Sequence, residues 1–203
     1  RGGLARARNL IRLVRFGYFD AFCWPSIFSL LVVSQEDRVR CERARPRQRT
    51  VIVPNGVDCS VVIGKRTYDA SKPVLLFTGD MSFQPNIDAA IFLAQEVFPS
   101  VRREHPDAEL RFVGRNPGPR ILAMAQTGIV VTGGVPNMVP HLHEATVYVA
   151  PHFTGAGTRT KLLEAMAAGL PIITTTVGIE GITAQSGRDV LIADTITDTI
   201  DSL

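Results

Sequence analysis

Apolar residues in this chain gather in short runs. TVIVP (Thr50–Pro54), PVLLF (Pro73–Phe77), ELRFV (Glu109–Val113), GIVVT (Gly128–Thr132), VYVA (Val147–Ala150) and PIIT (Pro171–Thr174) are strand-sized, and most are separated by helical or polar segments. That alternation predicts an α/β fold with a doubly wound, mostly parallel sheet. A helix is expected from Pro85 to about Val101, with Ile87, Ile91 and Phe98 on its buried face and Pro85 at an early helical position. Upstream, FSLLVV reads as a strand. Ser34 is placed to cap the helix that follows, with Glu36 and Asp37 in its first turn.

The densest chemistry lies in Gly155 to Pro171, GAGTRTKLLEAMAAGLP. The flanking runs VYVA and PIIT make it the middle of a strand, helix, strand unit, with the helix from about Thr158 to Ala168. Gly155 and Gly157 permit a tight turn with uncovered N–H groups, and the start of the helix adds its unsatisfied N–H groups and positive dipole end. Arg159 and Lys161 fall in the first helical turn, where cations are unfavourable for the helix itself. An anion explains them; a surface helix with solvated charges is the plainer alternative. Glu164, three residues after Lys161, is able either to pair with it or to reach a ligand hydroxyl.

Charge is uneven. The net charge is +3, made of +7 over residues 1–50 and −4 over residues 51–203. RGGLARARNLIRLVRF sets Leu4, Leu10, Ile11 and Val14 among Arg6, Arg8, Arg12 and Arg15, as suits an amphipathic helix on an anionic lipid surface or a solvated one. The second basic run, RVRCERARPRQR, reads as a surface helix and linker broken at Pro46. No aromatic interleaving accompanies the arginines, so nucleic acid is not expected as a partner. Hydrophobic residues make up 45% and mean hydropathy is +0.14, ample for a core, yet no run reaches membrane-spanning length. Cys23, Cys41 and Cys59 have neither metal-like nor redox-pair spacing, and His141 and His143, two apart, would not share a helical face. No metal or cofactor is expected, and a reducing cytoplasm is the expected location, with a peripheral membrane contact through residues 1–16 under the lipid reading. His152, just after VYVAP, is at a strand end that could face a ligand, though a lone histidine there is more often structural.

Six ordered motifs carry a family resemblance. PNGVD (Pro54–Asp58), FTGDMSFQPN (Phe77–Asn86), FVGRNP (Phe112–Pro117), VTGGVPN (Val131–Asn137), LEAMAAGLPII and TTVGIEGI (Thr175–Ile182) together resemble the C-terminal, donor-binding domain of glycosyltransferase family 4, retaining enzymes built from two facing Rossmann-like domains (GT-B). The resemblance implies transfer of a sugar, without a metal, from a nucleotide-diphosphate sugar to a glycan, lipid-linked or polysaccharide acceptor. Residues 1–49 then hold a remnant of the acceptor-side domain and a basic linker, and residues 50–203 the donor domain, ending before the family's closing helices. By resemblance, Gly155, Gly157, Thr158 and Thr160 cradle the diphosphate, and Arg159 and Lys161 neutralise it as catalytic cations. Gly79 and Asp80 line the donor site, Gly133, Gly134 and Val135 hold the base, and Glu164 takes the ribose hydroxyls.

Two departures stand out. The loop GDMSFQPN lacks the Arg and Lys that many family members carry there, and Ala156 stands where the family's first Glu would be. A noncatalytic nucleotide-binding or interaction module, or less readily a nucleotide-sugar epimerase, are the competing readings.

Overall fold

The computed structural model describes residues 27–69, 71–155 and 157–203, together with residues 10, 11, 13–15 and 18. The chain divides into two compact units, with the break between Val53 and Pro54.

In the first unit, β1 (Leu30–Val32) pairs in parallel with β2 (Thr50–Ile52), Leu30 opposite Thr50. The helix Gln35–Ala44 joins them, and the Ser34 hydroxyl accepts from the Asp37 N–H at 3.0 Å, the cap read from the sequence. Thr50–Ile52 is therefore a strand as expected, but its partner is β1 and not the large sheet. Short apolar strands carry no label for their neighbour, so periodicity alone did not assign it. The basic amphipathic stretch of residues 1–16 lies mostly outside the described residues; of it, residues 10, 11 and 13–15 are helical, and Leu10, Ile11, Leu13 and Val14 are exposed. Among the described residues, no helix is long and apolar enough to cross a membrane.

The second unit is a six-stranded, all-parallel sheet in the order β5-β4-β3-β6-β7-β8, formed by β3 (Val74–Thr78), β4 (Glu109–Val113), β5 (Ile129–Gly133), β6 (Val147–Ala150), β7 (Ile172–Thr174) and β8 (Leu191–Ile192). Alternate residues serve two cores. Leu75, Phe77, Leu110, Phe112, Val149 and Ile173 pack on one face against Ala89, Ala90, Leu93 and Val97. Leu76, Val113, Tyr148, Ala150 and Ile172 pack on the other against Leu142, Leu162 and Ala165. A side-chain period of two puts neighbours on opposite faces, so strands covered on both sides read as unbroken apolar runs. The sheet is doubly wound, as read from the sequence. The edge strand β8 was not among the expected strands, because two residues are too short to show a period.

The long helix differs in one instructive way. It runs as Gln84–Phe92, a wide π turn Leu93–Val97, and Phe98–Glu104. The Phe98 N–H reaches back five residues to the Leu93 carbonyl, just ahead of Pro99, which has no N–H of its own and whose ring crowds a regular α turn. The extra residue rotates the following face by about 100°. Phe98 is thereby core, whereas Ile87 and Ile91, expected on the same face, are only half-buried and Asn86, Ala89, Ala90 and Leu93 are buried instead.

The order of strands positions the site. From β3 the chain builds outward through β4 and β5, then returns to the other side of β3 with β6 and builds outward to β8. Loops leaving the carboxyl ends of β3 and β6 therefore diverge, opening a crevice at this switch point.

Candidate functional site

Three elements converge in that crevice. Asn86 comes from the first turn of the helix after β3, His152 from the end of β6, and Lys161 from the first turn of the helix Thr160–Ala167. Lys161 Nζ donates to the Thr78 carbonyl at 2.9 Å and to Asn86 Oδ1 at 2.8 Å, and lies 3.1 Å from His152 Nε2. It also sits 4.7 Å from the centre of the Phe77 ring. Asn86 Nδ2 donates to the Asp80 carbonyl at 2.8 Å, which fixes the amide with its oxygen towards Lys161. His152 is buried, with Nδ1 3.3 Å from the Ala150 carbonyl. Beneath them, Thr78 Oγ1 and the Tyr148 hydroxyl are 2.7 Å apart, a buried pair across the two strands of the switch point.

The electrostatics follow from burial. Desolvation, then the nearby Arg159 charge, lowers Lys161 from its ordinary 10.5 to about 7. Desolvation, then Lys161 and Arg159, lowers His152 to about 3, so its imidazole is neutral at any ordinary pH. Burial likewise pushes the Glu164 carboxyl up.

The glycine loop is close to what its residues demand. Gly155 and Gly157 have φ of 114° and 83°, left-handed backbone that favours glycine. The helix begins two residues later than expected: Arg159 is the extended N-cap residue, Thr160 opens the helix, and Lys161 follows. The Arg159 guanidinium folds back on its own loop, donating to the Gly157 carbonyl at 3.2 Å and the Thr154 carbonyl at 3.3 Å, with donors to spare. Thr158 Oγ1 donates to the Gly181 carbonyl at 3.4 Å. Ala156 lies outside the described residues.

The remaining sequence-derived residues fall into two groups. Gly79, at the end of β3, is brought against the cluster, since a Cβ there would lie 2.7 Å from Asn86 Nδ2 and 3.1 Å from Lys161 Nζ. Asp80 beside it spends its carboxylate on the loop, accepting from the Ser82 N–H at 3.0 Å, the Ser82 hydroxyl at 2.6 Å and Asn116 Nδ2 at 3.1 Å. Those hydrogen bonds hold it below the usual carboxylate range. Gly133, Gly134 and Val135 stand at the end of β5, with β4 between them and β3. Gly134 packs on Arg115, and the Gly114 N–H donates to the Gly133 carbonyl at 2.9 Å. Glycines 79, 114 and 133 thus end three adjacent strands and leave bare backbone along that side of the crevice.

Glu164 pairs with no cation among the described residues, so the helix salt bridge to Lys161 is not formed. Sequence reasoning did not single out Asn86, and it saw that His152 could face a ligand while favouring a structural role. Both follow a strand that ends at the switch point, a signal visible only once the strand order is known.

A family model for Glycosyl transferases group 1 matches residues 72–203. A relative from Klebsiella pneumoniae, an uncharacterized 44.6 kDa protein in the cps region, is 24% identical over 191 residues, covering 90% of this chain and 48% of the relative. Among solved structures, TarM overlays with a TM-score of 0.71 at 14% identity, over 87% of this chain and 36% of TarM. A variant of TarM from S. aureus solved with Fondaparinux, alpha-GlcNAc-glycerol and UDP gives 0.70. WaaG, a glycosyltransferase involved in lipopolysaccharide biosynthesis, overlays at 0.62 with 21% identity, over 86% of this chain and 52% of WaaG. The shared fold is the Rossmann-like half of a GT-B enzyme, and this chain spans about half the length of its relatives or less. With well over half of its residues matched by the family model, the chain belongs to the glycosyl transferases of group 1.

Proposed function

We propose that the second unit binds the nucleotide-diphosphate sugar donor of a glycosyltransferase, with the diphosphate at the start of the helix Thr160–Ala167. The observation that carries this reading is the meeting of two cations, Arg159 and Lys161, with a glycine loop and a helix start at the switch point of a parallel sheet. Arg159 and Lys161 would offset the charge developing on the leaving diphosphate, an electrostatic contribution that needs no metal. Glu164, a carboxylate with no ion pair among the described residues, suits the ribose hydroxyls because it accepts from both at once. The bare backbone at Gly133, Gly134 and Val135 suits a nucleobase. Structural likeness to a TarM variant solved with UDP supports a nucleoside diphosphate as the ligand class.

Transfer is proposed to proceed with retention to a glycan, lipid-linked or polysaccharide acceptor held by the facing half of the cleft. Residues 1–16 would bring that acceptor side to an anionic membrane. The competing reading, a noncatalytic nucleotide-binding module, is favoured by Ala156 in place of a carboxylate.

Calorimetry with UDP, GDP and ADP tests the donor site. Binding that is lost in the Arg159→Ala plus Lys161→Ala double variant supports it, and absence of binding to all three sinks it. Sugar transfer assayed with lipid-linked acceptors separates enzyme from module. Vesicle flotation checks the membrane contact: residues 1–16 must bind anionic vesicles better than their Arg-to-Gln variant.

A further inference from the structure

Among the described residues, Lys161 is a cation in a crevice that supplies no counter-ion. Its three partners, the Thr78 carbonyl, Asn86 Oδ1 and His152 Nε2, are all neutral, and an ammonium has only three hydrogens to give. The charged groups on the surrounding elements do not compensate it. Arg159, at the start of the same helix, has the same sign and is itself influenced by Glu180 from the loop after β7. Glu164, one turn on, makes no ion pair with it. Asp80, from the loop after β3, aims its carboxylate at Ser82 and Asn116. From β6, the Tyr148 hydroxyl is held neutral by burial. A desolvated charge held by neutral partners alone, without a counter-ion, gives up its proton more readily until an anion arrives.

The seat satisfies both protonation states. With Lys161 charged, the imidazole proton sits on Nδ1, facing the Ala150 carbonyl at 3.3 Å, and Nε2 accepts from the ammonium. With Lys161 neutral, its two remaining hydrogens serve Thr78 and Asn86, and its lone pair faces Nε2. A shift of the imidazole proton to Nε2 then lets the ring donate to that lone pair or to Asn86 Oδ1, 3.0 Å away.

We propose that His152, together with Asn86, is a positioning residue that lets Lys161 stand as a neutral amine in the empty crevice and as an ammonium against an anion, so that binding a nucleoside diphosphate takes up a proton. The inference rests on the donor-site reading above. The low proton affinity of Lys161, at about 7, places the linkage in the physiological range. The imidazole serves as adaptor because it alone among the three partners can exchange acceptor for donor.

The test is calorimetric titration of the full chain with UDP at pH 8, where the terminal phosphate is already ionised, in HEPES and in Tris, whose ionisation enthalpies differ. The expected result is uptake of about one proton per UDP, falling to about half at pH 7. Heats that are the same in both buffers overturn the inference while leaving the donor site standing. Absence of heat with UDP, GDP and ADP alike overturns the site and the inference together. His152→Phe keeps a ring packed on Phe77 but removes the acceptor. With circular dichroism unchanged, its uptake at pH 7 should rise towards a full proton and its UDP affinity fall by about tenfold. An uptake profile identical to that of the unaltered chain removes His152 from the role.

Discussion

Replacing Lys161 by methionine should cost the site its ligand yet stabilise the protein, and the gain should depend on pH in a defined way. A lysine held at about 7 in the folded chain against an ordinary 10.5 is neutral in the fold and charged in the unfolded chain across that window. The unfolded state then binds more protons, so stability of the unaltered protein rises with pH from 7 to 10.5, by about 1.4 kcal/mol per unit at the limit. Below pH 7 the full penalty of burying the charge applies, on the order of a few kcal/mol by the same arithmetic. Methionine has no proton to bind, so the contribution of charge burial to the advantage of Lys161→Met is greatest at and below pH 7 and vanishes towards pH 10.5. The substitution also strips donors from Thr78 and Asn86. The 3.0 Å approach of His152 Nε2 lets the imidazole serve Asn86 instead, leaving one carbonyl unserved at a cost of about 1–3 kcal/mol. That cost is independent of pH and does not touch the slope. Urea unfolding of the two proteins at half-unit steps from pH 7 to 10 measures it, and His152, whose ordinary value of 6.5 lies below the window, contributes nothing there. A stability difference flat across the window would refute the reasoning, because Lys161 would then titrate as it does in the unfolded chain.

Arg159→Ala should weaken UDP binding by about 10- to 100-fold, the worth of a charge-assisted hydrogen bond, and should loosen the loop whose Gly157 and Thr154 carbonyls it holds; calorimetry and hydrogen exchange read the two effects. Glu164→Gln should leave thermal stability nearly unchanged, since the carboxylate makes no ion pair among the described residues, while removing the preference for UDP over 2′-deoxy-UDP in competition binding. A Cβ at position 114 would lie 1.6 Å from the Gly79 carbonyl oxygen, a backbone atom that cannot step aside, so Gly114→Ala should destabilise by about 3 kcal/mol or more in urea unfolding. Gly79→Ala meets the Asn86 and Lys161 side chains, which can move, so it should spare the fold and instead cut UDP affinity.

What the sequence determined by itself was local. The apolar runs at Val74, Glu109, Ile129, Val147 and Ile172 are strands because both sheet faces are covered, and the Ser34 cap and the Gly155 and Gly157 turns follow from side-chain reach and backbone freedom within a few residues. The presence of two cations and a carboxylate at the start of one helix was legible for the same reason. Strand order was not, because the pairing of Thr50–Ile52 with Leu30–Val32, and of β3 with β6, depends on which surfaces bury each other across many residues. That order alone brings Asn86 and His152, 66 positions apart, to either side of Lys161. It also decides the chemistry: a lysine that the sequence presents as an anion-binding cation becomes, once desolvated among neutral partners, a group poised to exchange a proton near neutrality.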